Sequence, residues 1–212
     1  MNIYKKNRNK IDLRTYSIGV KLKKKENEEI FQNTDFEEVK GSKRYCEYMK
    51  RASQGDFLEV RKENLSCVTA EIMLGFKKPR EIEMDMRLDI KGLYSVLLFP
   101  LDKFPTKDID CVILIINPKH AMDIIEAYRK AFRKSLDVHW GLYSGICSEV
   151  TASVIKNKDI NFSFLCSGSR IYTGFDDCEL ICGIHETLVD DIFGKLIQIS
   201  EDRKMDLQLV KV

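Results

Sequence analysis

Apolar and polar residues alternate along this chain in short runs whose spacing changes from one stretch to the next. Residues 16–22 alternate apolar and polar side chains, which is typical of a strand buried on one face. Residues 92–100 and 111–116 are instead dense in β-branched, aromatic and other apolar side chains. Such runs are typical of strands covered on both faces, so we expect these two near the middle of a sheet.

Three stretches have the spacing of a helix face together with start or stop signals. The first begins near Tyr45 and meets a stop at Gly55. The second carries Cys67, with Asn64 placed to cap it and Gly75 to end it. The third starts at Asn117 and has the clearest signal of the three.

Asn117 is a good cap residue and is followed directly by Pro118, which favours the first turn of a helix. His120 is predicted to lie on the exposed side of this helix. Four apolar residues at helical spacing predict its buried stripe: Met122, Ile125, Tyr128 and Phe132.

Strands and helices interleave over the rest of the chain, so the predicted fold class is α+β, one domain with a mixed sheet and packed helices. A chain of 212 residues suits one domain. The remaining predicted strands cover residues 57–60, 81–90, 138–143, 160–165 and 179–184, and the remaining helices cover residues 147–155, a short segment after 166, and 188–199.

The net charge of +2 is unevenly distributed, because residues 1–25 carry nine Lys or Arg residues against Asp12 alone. We therefore assign residues 1–14 to a basic extension and residues 15–212 to a globular domain. No aromatic residues interleave with the lysines, which argues against nucleic-acid binding. No apolar run approaches the roughly 20 residues of a membrane span. We expect a cytoplasmic protein.

Seven cysteines are present, and an odd number excludes complete pairing in internal disulfides. In a reducing compartment thiols serve packing, metal ligation or redox chemistry. Cys111 opens an apolar strand and is expected to be a core residue. Four others fall at predicted helix starts, and we call them the helix-start cysteines: Cys46, Cys67, Cys147 and Cys166.

Thiolates that converge from four helix starts would make a site for a [4Fe–4S] cluster or, as a weaker choice, for zinc. The chain has no C-x-x-C pair, so this hypothesis depends on the fold to gather the sulfurs. The first hypothesis is therefore a cluster- or metal-binding protein with the helix-start cysteines as ligands.

The alternative is a metal-free protein or enzyme that uses a reactive thiol. Cys166 would face the free N–H groups of the helix that follows it, and this environment favours the thiolate. Gly168 and Arg170 would then hold a small anionic ligand, with the arginine fork gripping a carboxylate or phosphate. A third interpretation, in which the cysteines serve packing alone, stays open.

The helix-start cysteines also mark a weak internal repeat. Residues 46–67 and residues 147–166 both read as helix, polar turn and strand between two cysteines. This similarity has two explanations, an old duplication or chance.

A set of short segments occurs in a recognisable order along the chain: Gly19–Lys21, Tyr45–Cys46 with Ala52 and Gly55, Leu65–Cys67 with Leu74–Phe76, Asn117–Met122, Cys147–Glu149, Leu165–Arg170, Asp177 with Glu179, and Gly183–Ile184. Through these segments the chain resembles the family known as domain of unknown function 169, found largely in archaea and anaerobic bacteria. The resemblance covers about residues 15–199 and implies a one-domain protein, with the helix-start cysteines, Gly168 and Arg170 as family positions. It implies no reaction. Two departures are Cys178, within a usually acidic run, and His185, in place of a common proline.

Overall fold

The structure is a computed structural model that describes residues 3–26, 31, 34–78, 87–90, 92–140 and 144–209. Within these residues seven strands form one mixed sheet, and helices pack on both of its faces. The predicted α+β fold class is therefore confirmed. The strands are β1 (Ile18–Lys23), β2 (Glu37–Glu38), β3 (Leu58–Arg61), β4 (Ser95–Pro100), β5 (Cys111–Ile116), β6 (Ile160–Ser163) and β7 (Leu180–His185).

The strand order across the sheet is β2-β3-β4-β1-β5-β7-β6, and all neighbours are antiparallel except β2 and β3. β4 and β5 are buried along their whole length, as predicted for strands covered on both faces. The helices are α1 (Ile3–Ile11), α2 (Tyr45–Gln54), α3 (Val68–Met73), α4 (Pro118–Phe132), a π-helix (Gly145–Ala152), α5 (Ser153–Asn157), α6 (Ser167–Thr173) and α7 (Glu186–Leu209).

The sheet consists of two halves with the same arrangement of strands. In chain order, one half consists of β1, β3 and β4 and the other of β5, β6 and β7. In each half the first strand lies nearest the centre, the third pairs with the first, and the second pairs with the outer side of the third; β2 is added outside β3. A longer helical segment precedes the second strand and a short helix follows it. These are α2 and α3 in one half, and the π-helix with α5, then α6, in the other, where α4 is an additional helix after β5. The cysteine repeat of the sequence thus corresponds to a repeated arrangement of elements.

Each face of the sheet has its own hydrophobic core. On one face, Val20 and Ile113 belong to the core that includes α2, α3 and the π-helix. On the other face, Val112 and Leu114 belong to the core beneath α1, α4 and α7. Because the side chains of a strand alternate between faces, both layers bury apolar residues from the same strands. All four helix-start cysteines lie on the first face or at its edge.

A glycine in β7 allows the π-helix to lie directly on the sheet. A Cβ atom added to Gly183 would stand 2.1 Å from the carbonyl oxygen of Val150, far inside van der Waals contact. Any other residue at this position would therefore push the π-helix, and Cys147 with it, away from β7.

The predicted start of α4 is confirmed, but its predicted buried stripe is partly wrong. Met122 and Ile125 are 53% and 43% exposed, whereas Ile124 and Tyr128 are fully buried. His120, expected on the exposed side, is only 7% exposed. The helix carries apolar residues on more than one side, and packing against α7 determines which side is covered.

The sequence predicts that Asn64 caps α3, but in the structure Asn64 belongs to a short 3-10 turn before that helix. Its side chain accepts a hydrogen bond from the Arg61 N–H (2.8 Å) and donates one to the Val39 carbonyl (2.7 Å). The cap position of α3 is Cys67. In the predicted strand at 138–143, residues 138–140 have no regular structure and residues 141–143 lie outside the described residues. Most of the predicted strand at 81–90 also lies outside the described residues.

The segment predicted as a basic extension forms α1, which packs on α7. Tyr4 and Ile11 are buried there, and the Tyr4 ring meets the Phe193 ring edge-on at 5.7 Å. Among the described helices, none is long and apolar enough to cross a bilayer.

Candidate functional site

The helix-start cysteines line a single pocket of about 180 Å³, which we call the thiol pocket. Each of them comes from the beginning of a different helical segment. Two are contributed by the first half of the sheet and two by the second half. The structure thus brings together sulfurs that lie up to 120 positions apart in the sequence, from Cys46 to Cys166.

Cys46 occupies the second position of α2 and is buried. The start of this helix is fixed by the Glu47 carboxylate, which accepts a hydrogen bond from the Arg44 backbone N–H at 2.8 Å. Burial raises the pKa of the Cys46 thiol to about 11, although the nearby Ser169 hydroxyl acts in the opposite direction. Cys46 is therefore a protonated thiol at neutral pH.

Cys147 lies in the first turn of the π-helix and is also buried. Burial raises its pKa to about 12; the Ser144 hydroxyl opposes this shift, while the other three helix-start cysteines add to it. All four of these cysteines line the same pocket. π-helical turns occur often at functional sites, where they alter the direction of a side chain.

Cys166 is the cap residue of α6 and is half-buried. Burial raises the pKa of its thiol, but hydrogen bonds outweigh this effect, and the net shift is downward. The Ser169 N–H donates to the sulfur at 3.4 Å, the Ser169 hydroxyl shares a hydrogen bond with it at 3.3 Å, and the backbone N–H groups of Gly145 and Gly168 also lower the pKa. The sulfur therefore lies in a cradle that stabilises the thiolate.

The backbone before Cys166 adopts a conformation that is unusual for a bulky residue. Leu165 has φ of 70°, in the left-handed region, and its side chain is buried. Such strain is maintained by surrounding packing and occurs often at functional sites. Here it turns the chain from β6 into α6 and brings Cys166 to the pocket.

Cys67, the cap residue of α3, is half-exposed and completes the set. Thr69 and Ala70 of the same helix also line the pocket. The pocket therefore has two buried thiols and two that are partly accessible from its mouth.

Two buried hydroxyls without standard hydrogen bonds also belong to the thiol pocket. Tyr45 and Ser144 are 1% and 4% exposed, and both line the pocket. Their oxygens make no hydrogen bond of standard geometry with the described residues, although the Tyr45 hydroxyl lies close to Thr151 and the Ser144 hydroxyl lies close to the Cys147 sulfur. Because a buried hydroxyl without a partner is costly, the Ser144 hydroxyl beside Cys147 is available to a bound ligand.

Arg170, predicted as an anion clamp, does not line the pocket. Its guanidinium donates hydrogen bonds to the backbone carbonyls of Phe164 (3.0 Å), Glu179 (2.8 Å) and Asp176. These bonds occupy the planar fork, so Arg170 fastens α6 to the turn before β7. Gly168, its predicted partner, does line the pocket.

Arg44 is the arginine that the pocket does contain, and sequence reasoning missed it. Its guanidinium carbon stands 4.0 Å from the centroid of the Tyr172 ring. The residue directly precedes Tyr45 and Cys46, so the signal available in the sequence was its position at a helix start beside a cysteine.

The other cysteines lie away from the pocket. Cys111 and Cys182 are completely buried in β5 and β7, and burial raises the pKa of each well above its usual value. Cys178 is exposed in the turn before β7. Across the described residues, no three Cys, His, Asp or Glu side chains stand close enough together to hold a metal ion.

A larger cleft of about 470 Å³ is lined by polar residues, including Asp137 and His139. Its groups are linked to one another: the Asn161 side chain donates to the His139 carbonyl (2.9 Å) and accepts from the His139 N–H (3.0 Å). The smaller pocket, where four cysteines converge, is therefore the candidate functional site.

The fold and the pocket together define a class of protein: an α+β domain with cysteines from two structural halves around one small cavity. The chain belongs to the domain of unknown function 169 family, described as uncharacterised ArCR, whose model matches residues 8–91 and 80–194. No curated protein and no solved structure matches the chain.

Proposed function

We propose that the protein binds a [4Fe–4S] cluster through Cys46, Cys67, Cys147 and Cys166. The observation that carries this proposal is that the four thiols, from four separate helix starts, line one pocket. Thiolate sulfur is the ligand that iron–sulfur clusters require, and four of them complete the set for a cubane.

A cluster requires less convergence of the four thiols than a single ion does, and in the part of the chain that the structure describes no three of them stand close enough together to hold a metal ion. With metal–sulfur bonds of ~2.3 Å, two sulfurs on one tetrahedral ion must lie about 4 Å apart. The ligands of a [4Fe–4S] cluster are roughly 6–7 Å apart, because the cluster itself fills the space between them. The surrounding helices would therefore have to approach one another less closely to bind a cluster than to bind a single ion.

The chain's own groups prepare the sulfurs differently for this role. Cys166 has a lowered pKa and is ready to ligate, whereas Cys46 and Cys147, with pKa values of about 11 and about 12, must lose protons when they bind iron. The N–H groups around Cys166 would remain hydrogen-bonded to its sulfur, and such bonds tune the reduction potential of a cluster.

Anaerobic reconstitution with ferrous iron and sulfide tests the proposal. We expect about four iron and about four sulfide per chain, with visible charge-transfer absorbance. Alanine at Cys46, Cys67, Cys147 or Cys166 should remove most of the iron. Two control variants that lie outside the pocket, Cys178→Ala and Cys182→Ala, should retain it. A wild-type protein that folds but binds no iron under these conditions would overturn the proposal.

A second candidate function has one specific observation in its favour. Among the cysteine pKa values that shift, that of Cys166 is the one that falls, as expected of a nucleophile. In this alternative the Cys166 thiolate reacts with a small molecule and the pocket holds no metal. Fast labelling of Cys166 relative to Cys111, in protein that binds no iron, would favour the alternative.

A further inference from the structure

Arg44 and Cys166 face the same small space above Gly168. A Cβ atom added to Gly168 would stand 3.2 Å from the Arg44 Nη1 atom and 3.8 Å from the Cys166 sulfur. The absence of a side chain on Gly168 therefore leaves an opening that the guanidinium and the sulfur border together. The Tyr172 ring, 4.0 Å from the guanidinium carbon, holds the arginine there by a cation–π contact.

The charge of Arg44 is not balanced by a carboxylate in the pocket. No Asp or Glu is among the described residues that line it, and no ion pair joins Arg44 to the described part of the chain. Arg170, four residues from Cys166, differs in that its fork is filled by backbone carbonyls. Arg44 thus retains donors for an external partner.

The pocket wall supplies one further hydrogen-bond donor for a ligand. The Ser144 hydroxyl is buried, lines the pocket and makes no standard hydrogen bond with the described residues. Together with Arg44 it suits the oxygens of an anion. A cavity of about 180 Å³ admits a molecule of few heavy atoms.

We propose that the thiol pocket binds a small carboxylate, gripped by the Arg44 fork beside the Cys166 sulfur. This inference deepens the proposed function by naming the ligand class of the same site. A carboxylate matches the planar guanidinium through two parallel hydrogen bonds. Its carbon chain would then extend toward Cys166, or toward the iron atom that Cys166 ligates in the cluster-bound protein.

The test compares two alkylating agents of nearly equal size, anionic iodoacetate and neutral iodoacetamide, on the full-length, iron-free, reduced protein. In each reaction the Cys166 thiolate attacks carbon, a C–S bond forms and iodide leaves. Peptide mapping by mass spectrometry gives the rate at Cys166 separately from the other cysteines. Ordinary thiolates react more slowly with iodoacetate because like charges repel.

We expect iodoacetate to alkylate Cys166 at least tenfold faster than iodoacetamide, with a rate that saturates as its concentration rises. Arg44→Gln should abolish this preference, whereas Lys43→Gln, which removes the same charge one residue away, should retain it. Acetate should protect Cys166 more strongly than inorganic phosphate at equal concentration. Stronger protection by phosphate would overturn the carboxylate assignment.

Equal loss of preference in Lys43→Gln, or a wild-type rate that favours iodoacetamide, would also overturn the inference. The result is separable from the iron measurement because the alkylation needs no cluster. Failure to bind iron with a preserved iodoacetate preference would remove the cluster and keep the carboxylate site. Iron binding without the iodoacetate preference would keep the cluster and remove the carboxylate site.

Discussion

Three identical side chains of this pocket, Cys46, Cys147 and Cys166, have different acid–base properties because each meets a different local environment. Cys166 receives several hydrogen bonds at its sulfur, whereas Cys46 and Cys147 are buried with fewer donors. Hydrogen bonds to sulfur stabilise the thiolate and burial destabilises it. The balance between these two effects decides which thiol reacts first.

The pH dependence of alkylation should reveal the lowered pKa of Cys166. A free thiol has a pKa of about 8.5, so the Cys166 thiolate fraction, and its rate with iodoacetamide, should reach half its maximum at a lower pH. Ser169→Ala removes the hydroxyl donor and should move the midpoint upward. A Cys166 midpoint at or above about pH 8.5, the value of a free thiol, would contradict the assignment.

Four cysteines predicted to converge line one pocket, whereas the predicted Arg170 lies outside it and Arg44 lies inside, and the reason is physical. Cap and stop residues act within one turn, so the helix starts that carry the cysteines can be read locally. The position of a guanidinium depends instead on distant groups: Tyr172 holds Arg44, and backbone carbonyls occupy Arg170. No local pattern contains this information.

At the scale of the element, close approach between the π-helix and β7 determines the position of Cys147. The helix is buried over its whole length, and Gly183 leaves room for the Val150 carbonyl. The sequence predicts a helix here but not its wide turns, because a π-helix results from tertiary packing as much as from local preference.

Gly183→Ala should lower the free energy of unfolding by about 2 kcal/mol, since the new Cβ would overlap the Val150 carbonyl. The same substitution should speed labelling of the buried Cys147. Gly194→Ala is the matched control: it lies within α7 with open space around its Cα, and alanine there should stabilise by about 1 kcal/mol. Urea unfolding measures both changes in stability. If the two substitutions changed the free energy of unfolding equally, the contact between Gly183 and Val150 would be unimportant.

The end of α4 allows a second comparison at this scale. Arg133 caps the helix with φ of 54°, in the left-handed region, and its N–H donates to the Arg129 carbonyl at 2.9 Å. Glycine adopts this conformation without strain, whereas alanine keeps the Cβ. Arg133→Gly should therefore be more stable than Arg133→Ala by about 1 kcal/mol in urea unfolding. Equal stabilities would mean that the cap relaxes when its side chain is removed.

At the scale of the whole molecule, burial of thiols makes stability depend on pH. Cys46 and Cys147 have folded pKa values of about 11 and about 12, above the unfolded value of about 8.5. The native state therefore holds more protons than the unfolded state in this range. Its stability is fully present below about pH 8.5 and is lost as the pH rises toward about 12.

Urea unfolding of the iron-free, reduced protein at a series of alkaline pH values measures this loss. Cys147→Ala removes one of the buried ionisable groups, so its stability should fall less steeply with pH than that of the wild-type protein. Cys178→Ala, at an exposed position, should retain the wild-type slope. Identical slopes for all three proteins would contradict the raised pKa of Cys147 in the native state.

The α+β class, the two central strands and most helix positions could be predicted because burial imposes simple periodicities. The buried side of α4 could not, since Met122 and Ile125 have the right spacing but face away from α7. The sheet order could not be predicted either, because pairing between β1 and β5 joins residues far apart in the sequence.

The antiparallel pairing of β1 with β5 places two of the pocket sulfurs on each side of a seam. A fragment containing one half of the sheet would carry two of the four pocket cysteines, whatever its stability. To restore four thiols around one pocket, it would have to dock onto another copy along the edge that β1 or β5 normally covers. Because one chain carries both halves, that encounter is intramolecular, and the pocket forms at any protein concentration.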